Sequence, residues 1–110
     1  MSRFDPATLP APLGRYFDTL DHSQVAPLFS ADAQVHDEGA WHRGQEAIAG
    51  WLSRVEEKYH PRYVVEGAHT EAGRIIVTFK VSGTFPGSPA RLQQAFTLGP
   101  DNLIARLETL

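Results

Sequence analysis

Apolar residues recur every three to four positions through most of the first half of this chain, and every second position through the rest. Leu13, Tyr16, Phe17 and Leu20 fall at i, i+3, i+4 and i+7, which places them on one face of an α-helix. Pro10 and Pro12 sit where a first turn tolerates proline, because its leading N–H groups have no intrahelical partner. Residues 1–8 read as a loose lead-in. Asp21 or Ser23 caps a second, shorter helix carrying Val25, Leu28 and Phe29 on one face, and Pro27 limits its length. After Gly44 the stripe Ile48, Trp51, Leu52, Val55 and Tyr59 predicts the longest helix, which Pro61 ends.

The other period is two. Ala33, Val35 and Asp37 alternate with Gln34, His36 and Glu38, so a strand here turns the first three to one side. Tyr63 to Ala68 predicts another strand, followed by a turn at Glu71–Gly73. Next, Ile75, Val77, Phe79 and Val81 share a face opposite Ile76, Thr78, Lys80 and Ser82. The run from Phe85 to Pro89 is a connection, since its two prolines cannot donate to a ladder. Leu92, Gln94, Phe96 and Leu98 form the next inward row. A turn over Gly99–Asn102 leads to a last strand, Leu103 to Leu110. Helices followed by a four-strand run predict an α+β domain with a curved antiparallel or mixed sheet.

The 110 residues suit a single domain spanning 1–110. Formal net charge is −3 with no basic cluster, which points away from nucleic acid and anionic membranes. No stretch approaches the length of a membrane span, and the opening MSRFDPATLP lacks the apolar core of a signal peptide. The expected location is cytoplasmic. The absence of cysteine removes disulfides, thiolate nucleophiles and cysteine metal sites.

Four strings in order resemble one family. RYFDTLD (15–21) resembles its first helix, FSADAQVHDEG (29–39) its first strand, and RGQEAIAGWL (43–52) the start of its long helix. VSGTFPGSPARLQQAFTL (81–98), with the DNLIARLE hairpin after it, resembles its ending. Together they cover nearly the whole chain. The family is the nuclear transport factor 2-like superfamily, in its SnoaL-like polyketide cyclase and ketosteroid isomerase branch. The resemblance implies a cone: a bent sheet wrapped by three N-terminal helices around one pocket. It also implies a homodimer formed through the outer sheet face, where Ile76, Thr78, Lys80, Ser82, Gln93, Ala95 and Thr97 stand. One such fold hosts many functions.

The resemblance supplies three candidate catalytic residues. Asp37 matches the general base of the isomerases. Facing an apolar pocket, it would have its ionised form disfavoured and its pKa raised; as a turn residue it would face water. Tyr16 matches the tyrosine that donates to a developing enolate oxygen, and is equally at home in the apolar stripe. Gln94 stands where the isomerases carry a second, protonated acid, and its amide is a far weaker acid. Val35, Trp41, Trp51, Val55, Tyr63, Phe79 and Phe96 are candidates to line the pocket, or else belong to the core.

His36, Asp37, Glu38 and His42 do not make a metal site, because successive strand residues face opposite ways. No cofactor is expected. The readings left open are a cofactor-free isomerase, cyclase or lyase acting on a small apolar or cyclic carbonyl compound, a non-catalytic binder of such a molecule, and a dimerisation module.

Overall fold

The computed structural model describes residues 5–110. Residues 1–4 of the expected lead-in lie outside the described residues, and its remainder is not loose, since Pro6–Thr8 makes one 3₁₀ turn. Helix α1 spans Ala11–Asp18 and buries Pro12, Leu13, Tyr16 and Phe17. It stops before Leu20, which is 72% exposed, so the stripe is one residue shorter than its spacing suggests. The second helical segment, His22–Leu28, is 3₁₀, and Asp21 caps it by accepting the Ser23 N–H. Phe29 has already left that segment as the first residue of strand β1 (Phe29–Asp37).

Strand β2 (Ala40–Arg43), which the alternation did not reveal, returns antiparallel to β1 with Asp37 opposite Ala40. The two residues between, Glu38 and Gly39, both have positive φ, as a tight two-residue hairpin requires. Helix α2 spans Gln45–Tyr59 and buries Ile48, Trp51 and Leu52. The remaining strands are β3 (Arg62–Glu71), β4 (Arg74–Ser82), β5 (Ala90–Leu98) and β6 (Ile104–Thr109).

The six strands form one mixed sheet in the order β2-β1-β6-β5-β4-β3. It is not closed, and β2 and β3 are its edges. All neighbours run antiparallel except β1 and β6, which are parallel with Val35 opposite Leu107. The last strand thus lies in the middle, between the hairpin made first and the meander made later.

Helices and sheet close over a core that includes Leu13, Phe29, Val35, Leu52, Phe96 and Leu107, all at 0% exposure. The outer sheet face departs from its expected openness at two places. Ile76 and Ala95 are opposite each other there and are nearly buried, in a row that continues to Glu108 of β6. Arg74 and Arg106 both bond Glu108, so long polar side chains roof this small apolar pair.

Candidate functional site

The inward faces of β4 and β5, the end of β1 and one side of α2 do not meet completely. Between them lies a cavity of about 430 Å³, a volume typical of small-molecule sites. Tyr16, Asp37 and Gln94 all line it, as do Trp51, Val55, Tyr63 and Phe79. Val35 and Phe96 do not, because both are sealed in the core beside it. Trp41 does not line it either. It pairs with His36 on the opposite face of the sheet, where Arg43 and Arg106 lie against its ring. Alternation explains this, since Val35 and Asp37 face inward and His36 must therefore face out.

Asp37 is half-buried at the inner end of β1, where its Oδ2 accepts the Trp51 indole N–H at 3.1 Å. The next residue, Glu38, accepts the Tyr59 hydroxyl at 3.2 Å. Its φ of +50° belongs to a region that glycine or asparagine normally fills, and it brings a second carboxylate to the cavity wall.

Tyr16 is completely buried, and its hydroxyl has no hydrogen-bond partner. Burial, followed by the charges of Tyr63 and Asp37, holds its pKa well above the ordinary phenol value, and the Gln94 side chain offsets this only in part. The phenol stays neutral and keeps its proton to donate.

Gln94 presents chemistry other than the expected donor. Its amide nitrogen donates to the Thr109 hydroxyl at 3.0 Å, and the atom left without a partner is the carbonyl Oε1. In this arrangement Gln94 offers an acceptor.

Behind the cavity stands a pair that the sequence did not reveal. His22 is 1% exposed, its ring packs edge-on to Tyr16 at 4.6 Å, and its Nε2 lies 3.4 Å from the Tyr63 hydroxyl. Burial drives its pKa down to about 4, so the ring is neutral and carries one N–H. Its Nδ1 is buried without a partner. A buried N–H without an acceptor is rarer than an unused lone pair, so the proton belongs on Nε2. His22 then donates to the Tyr63 oxygen and leaves the Tyr63 hydrogen free to point into the cavity.

Burial, and the charges of Asp37 and Glu56, also hold the Tyr63 phenol above its ordinary pKa. Glu56 fixes His22 from the α2 side by accepting its backbone N–H at 2.9 Å. No short-range pattern links His22 to Glu56, which lies 34 positions further on.

Phe85, Pro86 and Leu92 line the cavity while keeping part of their surface in solvent, and so form its rim. The loop bearing Phe85 is tied to the end of α2, since Thr84 donates its N–H to the Tyr59 carbonyl at 2.8 Å. A Cβ at Gly83 would come within 2.3 Å of that same carbonyl, so only glycine allows the approach. A second cleft of about 230 Å³ lies on the far side of Asp37 and Glu38, lined by His42, Arg54 and Lys58. Among the described residues no three histidine, aspartate or glutamate side chains gather as a metal site would need.

No family model matches the chain, and no curated protein does. Solved structures do. One from Sinorhizobium meliloti, described as a candidate polyketide cyclase (protein SMa1630), is 34% identical over 97% of this chain and 100% of its own, with a TM-score of 0.88. The chain belongs to the NTF2-like superfamily, with the SnoaL-like polyketide cyclases. A SnoaL-like structure from Jannaschia sp. CCS1 shares the fold at 18% identity and a TM-score of 0.70, covering 91% of this chain and 82% of its own. Rv0760c from Mycobacterium tuberculosis does so at 14% and 0.76, covering 99% and 92%. The recognised strings therefore carried the right family, and the α+β architecture with it.

Proposed function

We propose that this SnoaL-like domain binds a small, largely apolar cyclic molecule in the 430 Å³ cavity and moves a proton next to its carbonyl group without a cofactor. The observation that carries the reading is the convergence of Asp37, Tyr16 and Tyr63 on one apolar-walled space. Asp37 takes the proton from the carbon beside the carbonyl, as a general base. Tyr16 and Tyr63, two neutral phenols with ring centres 6.3 Å apart, donate to the oxygen as charge develops there. Gln94 Oε1 accepts from a neighbouring hydroxyl or enol of the same molecule. The name given to the Sinorhizobium protein, a candidate polyketide cyclase, supports ring-forming chemistry of this class.

The test is exchange of ligand C–H for C–D, followed by NMR with a panel of cyclic ketones in deuterated buffer. The wild-type chain is expected to exchange protons beside the carbonyl, and Asp37→Asn to slow this at least about 100-fold. Exchange no faster than in buffer alone would remove catalysis and leave a binding protein of the same cavity.

A homodimer through the outer sheet face is part of this proposal. Val64 and Trp41 stand on that face, at its two edges, and are 62% and 37% exposed. Light scattering across micromolar concentrations is expected to give twice the chain mass, and a constant single-chain mass would exclude the pairing.

A further inference from the structure

The charge of the cavity wall is one-sided. Asp37 and Glu38 both reach it, while no lysine, arginine or histidine lines it among the described residues. His42, Arg54 and Lys58 line the adjoining cleft, which shares Asp37 and Glu38 with the cavity, and none of the three reaches the cavity wall itself. Burial is the main cause that raises the pKa of Tyr16 and Tyr63, and Asp37 adds to it at both, with Glu56 at Tyr63. Six aromatic rings border the space. Their faces are themselves the negative part of the ring quadrupole.

We infer that this cavity also takes a lipophilic amine, with an apolar ring body on the side of Phe85 and Leu92 and a cationic nitrogen between Asp37 and the rings of Tyr16, Tyr63 and Trp51. Two forces would hold the cation: the half-buried carboxylate, whose Oδ2 has only the neutral Trp51 N–H as partner, and the aromatic rings that border the space. A ligand carboxylate or phosphate would have to shed its water beside Asp37 and Glu38 with no cation in the wall to replace that water. Free acids and phosphate esters are thus disfavoured inside the cavity by charge before shape is considered. The inference rests on the cavity being the ligand site, as proposed above; a cation paired with Asp37 occupies the place of the reacting carbon, so the amine is bound there as a competitor of the carbonyl compound and is not turned over.

Three naphthalene probes separate these claims by calorimetry with the full chain: (2-naphthylmethyl)trimethylammonium, 2-naphthalenemethanol and 2-naphthylacetate. The quaternary nitrogen cannot lose a proton or donate a hydrogen bond, so it reports charge and ring contact alone. The ammonium is expected to bind at least about tenfold tighter than the alcohol, with one site per chain, and the acetate at least about tenfold weaker than the alcohol. Asp37→Asn keeps an acceptor for Trp51 and should bring the ammonium-to-alcohol ratio close to one, with Glu38→Gln lowering it less. Alcohol binding equal to or tighter than ammonium binding would overturn the inference and spare the cavity as a site. Ammonium binding that excess alcohol fails to displace would overturn it as surface attraction. Binding of none of the three would overturn both this inference and the proposed function.

Discussion

Phe96 and Leu92 lie four residues apart on the inward face of β5, yet Phe96 is sealed at 0% exposure while Leu92 is 38% exposed at the cavity rim. Gln94, midway between them, is 6% exposed and holds the one buried amide of the row. A single strand thus runs from close-packed core to open cavity, and its sequence changes from aromatic through polar to aliphatic along the way. Core packing at one end holds the wall rigid, so that the other end can stay empty. The helices explain the asymmetry. Tyr16 and Phe17 of α1 fill the space over Phe96, at ring distances of 5.4 and 5.6 Å, while Leu92 borders the cavity.

Emptying the filled end should cost most. Phe96→Ala is expected to destabilise the fold by about 3–5 kcal/mol in chemical denaturation, since the surrounding rings cannot collapse fully. A loss below about 1 kcal/mol would mean the core yields as readily as the rim, and the comparison would fail. Acid should act next, through His22 at the boundary. Its folded pKa of about 4 lies below the unfolded value of 6.5, so the unfolded chain binds the proton first. The stability that neutral His22 contributes is complete above about pH 6.5. It is lost as pH falls towards 4, to a total of about 3 kcal/mol. Denaturation midpoints for the wild type and His22→Gln should therefore diverge across that window; parallel curves would show that His22 is not buried as a neutral ring. The smallest effect belongs to the rim. Leu92→Ala should change stability by less than about 1 kcal/mol while weakening capture of the alcohol probe, and a core-sized loss would show the cavity to be closed there.

Much of this contrast was legible in the residues, and the limits have physical causes. The 3.6-residue stripe of α2 and the two-residue alternation of β4 and β5 reflect burial on one face, which periodicity reports directly. That Asp37 and Tyr16 share a cavity followed from the family's strings. The hairpin to β2 was hidden because Glu38 occupies a left-handed position normally marked by asparagine, and because Ala-Trp-His-Arg has no apolar alternation. Val35 and Phe96 have the same inward orientation as the lining residues, and only the reach of α1 and α2 decides which inward residues are covered. His22 carries no signal in the sequence, since its burial depends on Glu56 and Tyr63 arriving from distant segments. Gln94 lines the cavity, as its place in the inward row of β5 implies, but its free atom is set by Thr109, on the neighbouring strand.

The central place of β6 bears on how the chain is made. During synthesis the β1–β2 hairpin and the later β3–β4–β5 meander emerge in turn, and neither borders the other in the finished sheet. They are joined only when residues Ile104–Thr109 leave the ribosome and insert between them, parallel to one and antiparallel to the other. Until then β1 and β5 each present an unpaired edge, the kind of surface that invites aggregation. Thr109, which also holds Gln94, lies at the end of that segment. The wall of the cavity is therefore completed only with β6, and a nascent chain stalled before that strand would have two half-sheets and no site.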